Sequence, residues 1–171
     1  MDSVVILANG QYPTHPIPLI FLRDAASIIC CDGAVNSLDN AGLSADYIIG
    51  DMDSISTHMK SKYQDKLIHK PDQNENDLRK AIIWAEENNI GKVTILGATG
   101  KREDHSLANL FSLLQFSAKL KWKILTDHGI FNAIETGTTF DSFIGQHVSL
   151  FASDTELKIT TNNLKYNLIN S

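Results

Sequence analysis

Cysteine is scarce in this chain. Its only two, Cys30 and Cys31, are neighbours, a spacing that supports neither a disulfide framework nor a set of zinc ligands. They read as ordinary strand residues of a cytosolic protein. Long apolar runs are missing too. No stretch approaches the ~20 residues of a membrane-spanning helix, and the first residues enter a strand directly, without a signal-peptide pattern. A cytoplasmic location away from membranes is therefore expected. Positive charge is not in excess either: the net charge is −5, so no nucleic-acid partner is expected. Lys60, Lys62, Lys66 and Lys70 lack interleaved aromatics and read as a solvated face. The dinucleotide pattern G-x-G-x-x-G and the P-loop pattern G-x-x-x-x-G-K-S/T are both absent, as are internal repeats and low-complexity segments.

What remains is an ordinary globular composition. With 43% hydrophobic residues among 171, the chain fits one large domain, or one domain and a smaller second. Val4 to Ala8, Ser27 to Cys31, Tyr47 to Ile49, Leu67 to Lys70, Lys92 to Leu96 and Lys123 to Thr126 read as short buried strands. Pro13, Pro16 and Pro18 argue against a regular helix before about Leu19, leaving room for a short one to Ala25. A helix should run from Ala34 to Ala41 and stop at Gly42. The next starts at the N-cap Asn76 and buries Leu78, Ala81, Ile82 and Ala85. Another, capped by Asp104, should bury Leu107, Leu110, Phe111 and Leu114. Strands alternating with helices predict an α/β domain, a doubly wound, mostly parallel sheet over residues 1–127. The pieces Phe131 to Phe143, Gln146 to Phe151 and Glu156 to Thr161 have no helix between them. They predict a smaller antiparallel β domain, sandwich-like, over 128–171.

Chemistry collects at one edge of such a sheet, because ligands bind outside the carboxyl ends of parallel strands. In this chain those ends carry Asn9-Gly10, Asp32-Gly33, Asp51 with Asp53, Pro71-Asp72-Gln73, and Gly97 through Asp104. Asp51 and Asp53 form a D-x-D directly after Ile48-Ile49-Gly50. Two carboxylates ~4 Å apart repel by about 4 kcal/mol at an effective dielectric of 20. A hard divalent cation relieves that cost, and Mg²⁺ commonly takes substrate phosphates as well. Asp77 adds a carboxylate in a first helical turn, where the helix dipole alone also accounts for it. Gly97-Ala98-Thr99-Gly100-Lys101-Arg102 lies between a strand and a helix, where backbone N–H groups and basic side chains suit an anion. Carboxylates for a metal plus a basic glycine loop imply a metal–nucleotide or metal–polyphosphate site.

Four ordered blocks then resemble one family. Asp32-Gly33-Ala34-Val35-Asn36, Gly50-Asp51-Met52-Asp53-Ser54, Gln73 with Asn76-Asp77 and Lys80, and Gly97 through His105 with Asn109 are together similar to thiamine pyrophosphokinase. The resemblance spans about residues 5–127. It implies transfer of pyrophosphate from ATP to thiamine, giving thiamine diphosphate and AMP. It also implies Mg²⁺, a homodimer, and a catalytic α/β domain followed by a β-sandwich. By the resemblance Asp51, Asp53 and Asp77 match metal-associated positions. Asp32, Asn36, Gln73, Lys80, Arg102 and Asp104 match positions along the nucleotide and phosphate path, and Asn9, Gly10, Gly100 and His105 are expected beside them. Asp32, Asp51, Asp53, Asp77, Arg102 and Asp104 are the expected catalytic set.

Two features depart from the family pattern. Asn76 replaces the usual threonine before the helix aspartate, keeping a capping oxygen. Similar family members also continue past the position of Ser171, through a segment that helps form the thiamine pocket. The C-terminal domain is accordingly expected to be incomplete, as a truncated form or a short variant. Two other readings of the same residues are a Mg²⁺-dependent phosphohydrolase and a nucleotide-binding module without turnover.

Overall fold

The computed structural model describes residues 3–114, 116, 120–152, 154 and 156–169. The apolar runs form one seven-stranded sheet. Its strands are β1 (Val4–Leu7), β2 (Ser27–Cys31), β3 (Tyr47–Gly50), β4 (Leu67–His69), β5 (Lys92–Leu96), β6 (Lys121–Leu125) and β7 (Ile130–Asn132). Their spatial order is β4-β3-β2-β1-β5-β6-β7. Every neighbouring pair is parallel except β6 with β7, which is antiparallel. The helices are α1 (Pro16–Arg23), α2 (Ala34–Asn40), α3 (Thr57–Lys62), α4 (Asp77–Glu87) and α5 (Glu103–Leu113).

The period-two geometry of a strand sends alternate side chains to opposite faces. Val5, Leu7, Ile28, Cys30 and Ile48 therefore pack on one side with Leu22 of α1 and Val35 and Leu38 of α2. Ile6, Ile29, Cys31, Ile49, Val93 and Ile95 pack on the other with Leu78, Ala81, Ile82 and Ala85 of α4. Both faces of the sheet are covered, which is why the strands read as unbroken apolar runs. Cys30 and Cys31 are free and buried in opposite layers.

Some local expectations are corrected. α1 begins at Pro16, not near Leu19. Pro16 and Pro18 occupy its first turn, where the missing N–H groups have no intrahelical partner to lose, and the His15 imidazole caps it by accepting from Ile17 N at 3.2 Å. In α5 the expected buried stripe is rotated outward: Leu107 is 56% and Phe111 59% exposed, while Leu113 is buried. Asn109 lies on the inward side, its Nδ2 donating to the Ala98 carbonyl at 2.7 Å. Arg102, not Asp104, is the N-cap residue of α5.

The chain steps from β1 out to β4, then returns to place β5 on the other side of β1. That reversal opens a crevice between the carboxyl ends of β1 and β5. The molecule divides into two units, Met1–Glu135 and Thr136–Ser171. The division thus falls after β7, later than residue 127, because β7 pairs with β6 and extends the first sheet. In the second unit no helix or strand occurs among the described residues. The pieces expected as strands at 146–151 and 156–161 are not laddered there. Local bonds such as Thr161 N to Leu168 O (3.0 Å) hold it, and Phe143, Ile144, Phe151, Tyr166 and Ile169 are exposed. Among the described residues no helix is long and apolar enough to cross a membrane.

Candidate active site

The acidic part of the site forms where β2 and β3 end side by side. Register Cys31 to Ile49 brings Asp32 against the D-x-D loop, and Asp32 N donates to Ile49 O at 2.9 Å. Met52, between the two aspartates, takes a left-handed φ of 68° and buries its side chain in the core, turning Asp51 and Asp53 to the outside. Asp53 N donates to Asp51 Oδ1 at 3.2 Å. Gln73 Nε2 donates to Asp51 Oδ2 at 3.1 Å. Ser54 serves two carboxylates, its N–H donating to Asp32 Oδ2 (3.1 Å) and its hydroxyl to Asp53 Oδ1 (2.8 Å). Asn36 Nδ2 holds the same loop through the Ser54 carbonyl at 3.2 Å.

One oxygen from each of Asp32, Asp51 and Asp53 lies within 4.8 Å of the others. Asp32 is 1% exposed, and its Oδ1 is buried with no hydrogen-bond partner. Burial pushes the Asp32 carboxyl up to about 6, helped by Asp77 and Asp51 and opposed by the Ser54 amide. Asp77 is also raised, first by burial, with Lys80 opposing and Asp51 and Asp53 adding to it. Asp53 is lowered, chiefly by the Ser54 hydroxyl. Lys80, itself 4% exposed, donates from Nζ to Asp77 Oδ1 at 3.1 Å. Gly50 permits this crowding: a Cβ there would lie 2.7 Å from Asp32 Cβ and 3.2 Å from Asp77 Oδ1. An orphaned buried carboxylate oxygen inside a cluster of three fits a hard divalent cation, which neutralises such a group.

The basic part forms over β1 and β5. Gly10 N donates to Gly97 O (2.7 Å) and Gln11 N to Thr99 O (2.8 Å), so the two strand-end loops run together. Gly97 has φ 65° and Gly100 φ 97°, conformations that glycine adopts at low cost. Lys101 Nζ donates to Asn9 Oδ1 at 3.3 Å, and Asn9 also abuts Gly33, whose hypothetical Cβ would lie 2.8 Å from Asn9 Nδ2. Asn9 thereby joins the acidic and basic halves. Arg102 grips Asp104 through Nε (3.1 Å) and a terminal nitrogen (2.5 Å). That guanidinium holds Asp104 down to about 2. His105 is exposed in the first turn of α5, and its amide donates to Asp104 Oδ1 at 2.9 Å.

Residues 20–126 match the family model described as thiamin pyrophosphokinase, catalytic domain. The chain belongs to this family. Among sequence relatives, thiamin pyrophosphokinase 1 of Caenorhabditis elegans is 29% identical over 119 residues, 64% of this chain and 49% of that protein. Thiamine pyrophosphokinase of Bacillus subtilis is 32% identical over 128 residues, 72% of this chain and 59% of that protein. The chain thus spans about half to three-fifths of these two relatives. The crystal structure of the Bacillus subtilis protein shares the fold, with a TM-score of 0.61 at 24% identity, over 72% of this chain and 60% of that one.

The thiamin pyrophosphokinase match spans both the acidic and basic parts of the site except Asn9, Gly10 and Gln11, which precede it. The structure brings Asp32, Asn36, Asp51, Asp53, Gln73, Asp77 and Lys80 into one connected acidic group, and Asn9, Gly10, Gly100 and Lys101 into the adjoining loops. Asp32 supplies the third member of the closest carboxylate group, and Asp77 stands beside it engaged by Lys80. Arg102, Asp104 and His105 sit at the exposed start of α5. Sequence reasoning assigned no role to Ser54, which organises two carboxylates. Its position directly after the D-x-D was the available signal.

Proposed function

We propose that the chain transfers a pyrophosphoryl group from ATP to the hydroxyethyl group of thiamine, giving thiamine diphosphate and AMP. The observation that carries this reading is Asp32 Oδ1, a buried carboxylate oxygen without a partner. It sits among Asp51 and Asp53, with a basic glycine loop alongside, in a chain of the thiamin pyrophosphokinase family.

Asp51 and Asp53, with Asp32 and Asp77 beside them, would hold Mg²⁺. The ion would supply positive charge to orient the polyphosphate and offset charge developing on it. The thiamine hydroxyl oxygen bonds to the β-phosphorus, the bond from that phosphorus to the α-phosphate oxygen breaks, and AMP leaves. Such chemistry depends on positioning and charge stabilisation. Backbone N–H groups of the loop at 97–100, with Lys101, Asn9 and Gly10, line the phosphate side, and Asn36, Gln73 and Lys80 brace the carboxylates. Arg102 binds phosphate oxygens, leaving Asp104 for the acceptor. A carboxylate held at about 2 by Arg102 is a hydrogen-bond acceptor and a weak base. When phosphate draws the guanidinium away, Asp104 regains basicity where the hydroxyl proton must go. His105 flanks this pair at the helix start.

The chain acts in this reading as a cytoplasmic homodimer, associated through the C-terminal region. The exposed Phe143, Ile144 and Phe151 of that unit support an apolar face that a second copy covers. Chromatography of the nucleotides formed from ATP and Mg²⁺, with and without thiamine, tests the activity. AMP formed only with thiamine is expected. ADP as the sole initial product, or phosphate release without thiamine, would overturn the assignment in favour of a simple kinase or a phosphohydrolase.

A further inference from the structure

Residues 9–15 leave β1, cross the carboxyl end of β5 and reach the end of β6, where α1 begins. Gly10 and Gln11 tie the segment to Gly97 and Thr99. At its far end one carboxylate receives three donors, the Thr14 and His15 amides and the Thr14 hydroxyl. Asp127 Oδ1 accepts from Thr14 N (3.1 Å) and His15 N (3.0 Å), and Oδ2 from Thr14 N (3.0 Å) and the Thr14 hydroxyl (2.5 Å). Hydrogen bonds to an ionised carboxylate are stronger than neutral ones. Asp127 itself is set firmly, in the turn between β6 and β7, where Thr126 Oγ1 accepts from His128 N and Gly129 N, both at 3.1 Å.

The segment also shapes the glycine loop. Gln11 packs so closely on Gly100 that a Cβ there would lie 2.7 Å from both its Cβ and its Oε1. Slack in residues 9–15 would therefore pass into residues 97–100. We propose that Asp127 is a positioning residue for nucleotide binding: by clamping Thr14 and His15 it holds the phosphate-side loops in register. The proposal rests on the reading of those loops as the ATP side of the site.

Asp127→Asn keeps the side-chain shape while removing the charge and turning an NH₂ group toward the donors. Hydrogen exchange at the Gln11, Thr14 and His15 amides should quicken about tenfold or more, with β1 and β5 unchanged. Calorimetry with ATP and Mg²⁺ should show about tenfold weaker binding. The KM for thiamine and kcat should shift less than about twofold. Thr14→Val, which loses only the hydroxyl bond, should weaken ATP about threefold. Unchanged exchange at those amides would overturn the clamp. Equal weakening of ATP and thiamine together with faster exchange throughout the sheet would also overturn the positioning role, leaving Asp127 as a general stabilising residue. Should the unaltered chain bind no ATP, the functional reading and the nucleotide half of the proposal both fail, while exchange still decides the clamp.

Discussion

Asp32 should make the cation-free protein less stable, and replacing it should show this. Its carboxyl lies at about 6 in the fold against an ordinary value of 3.8. The folded chain thus holds a proton that the unfolded chain has released between those two pH values. Stability falls wherever the folded state binds more protons as pH rises. No contribution from Asp32 is expected below about pH 3.8, and the full penalty is present above about pH 6. At about 1.4 kcal/mol per pH unit, that penalty is about 3 kcal/mol. In Asp32→Asn the amide oxygen can still accept from Ser54 N, and the NH₂ group faces the Asp51 and Asp53 carboxylates. Part of the gain is lost to imperfect geometry, so about 1–3 kcal/mol should remain at pH 8, or roughly 3–8 °C in Tm.

The measurement is thermal unfolding of both chains at pH 4 and pH 8, with EDTA or with Mg²⁺. In EDTA at pH 8 the variant should melt higher, and at pH 4 the gain should shrink. Mg²⁺ should raise the Tm of the unaltered chain and do little for the variant, because binding to the folded state alone stabilises it. A variant that melts lower at both pH values would refute the reasoning, since burial of a charge would not then be the dominant cost at Asp32. An equal response of the two chains to Mg²⁺ would refute the cation site.

Asp53→Asn should lower turnover about a hundredfold or more, as loss of one charge-stabilising group does, while circular dichroism and Tm stay near those of the unaltered chain. Retained activity with an unchanged Mg²⁺ dependence would remove Asp53 from the metal site. In sedimentation equilibrium the chain should run at twice its 18.9 kDa mass, and a well-behaved monomer at ~10 μM would defeat association through the C-terminal unit.

Much of the first unit was legible because its signals are local. An unbroken run such as Val5-Ile6-Leu7 announces a strand buried on both faces, and Asn76 announces a helix start that the structure keeps through its bond from Arg79 N at 2.8 Å. The failures arose where a nonlocal contact decides a local choice. α5 carries two overlapping apolar stripes. The one that faces inward carries Leu113 and the Asn109 bond to the Ala98 carbonyl, a contact that helical periodicity cannot register. Pro16 and Pro18 looked like obstacles to α1, yet the helix begins at Pro16, capped by the His15 side chain, and both prolines fall in the first turn.

The site shows the same division. The D-x-D was readable as a pair of carboxylates on one loop. That Asp32 completes it follows only from β2 lying parallel beside β3 in the register Cys31 to Ile49. The glycines make the point most sharply. As letters all ten are alike. In the structure Gly10, Gly33, Gly50, Gly97 and Gly100 each have an atom within 3.0 Å of where a Cβ would sit, whereas Gly42, Gly91, Gly129, Gly137 and Gly145 have nothing within 4 Å. Gly10, Gly33, Gly97 and Gly100 lie in the loops that follow β1, β2 and β5, and Gly50 is the last residue of β3; at each a backbone must meet another backbone or a side chain at this edge of the sheet. An added methyl at any of them pushes apart the loops that form the site, while at the other five it meets open space. The density of close approaches therefore marks this edge of the sheet as the functional one independently of its charges.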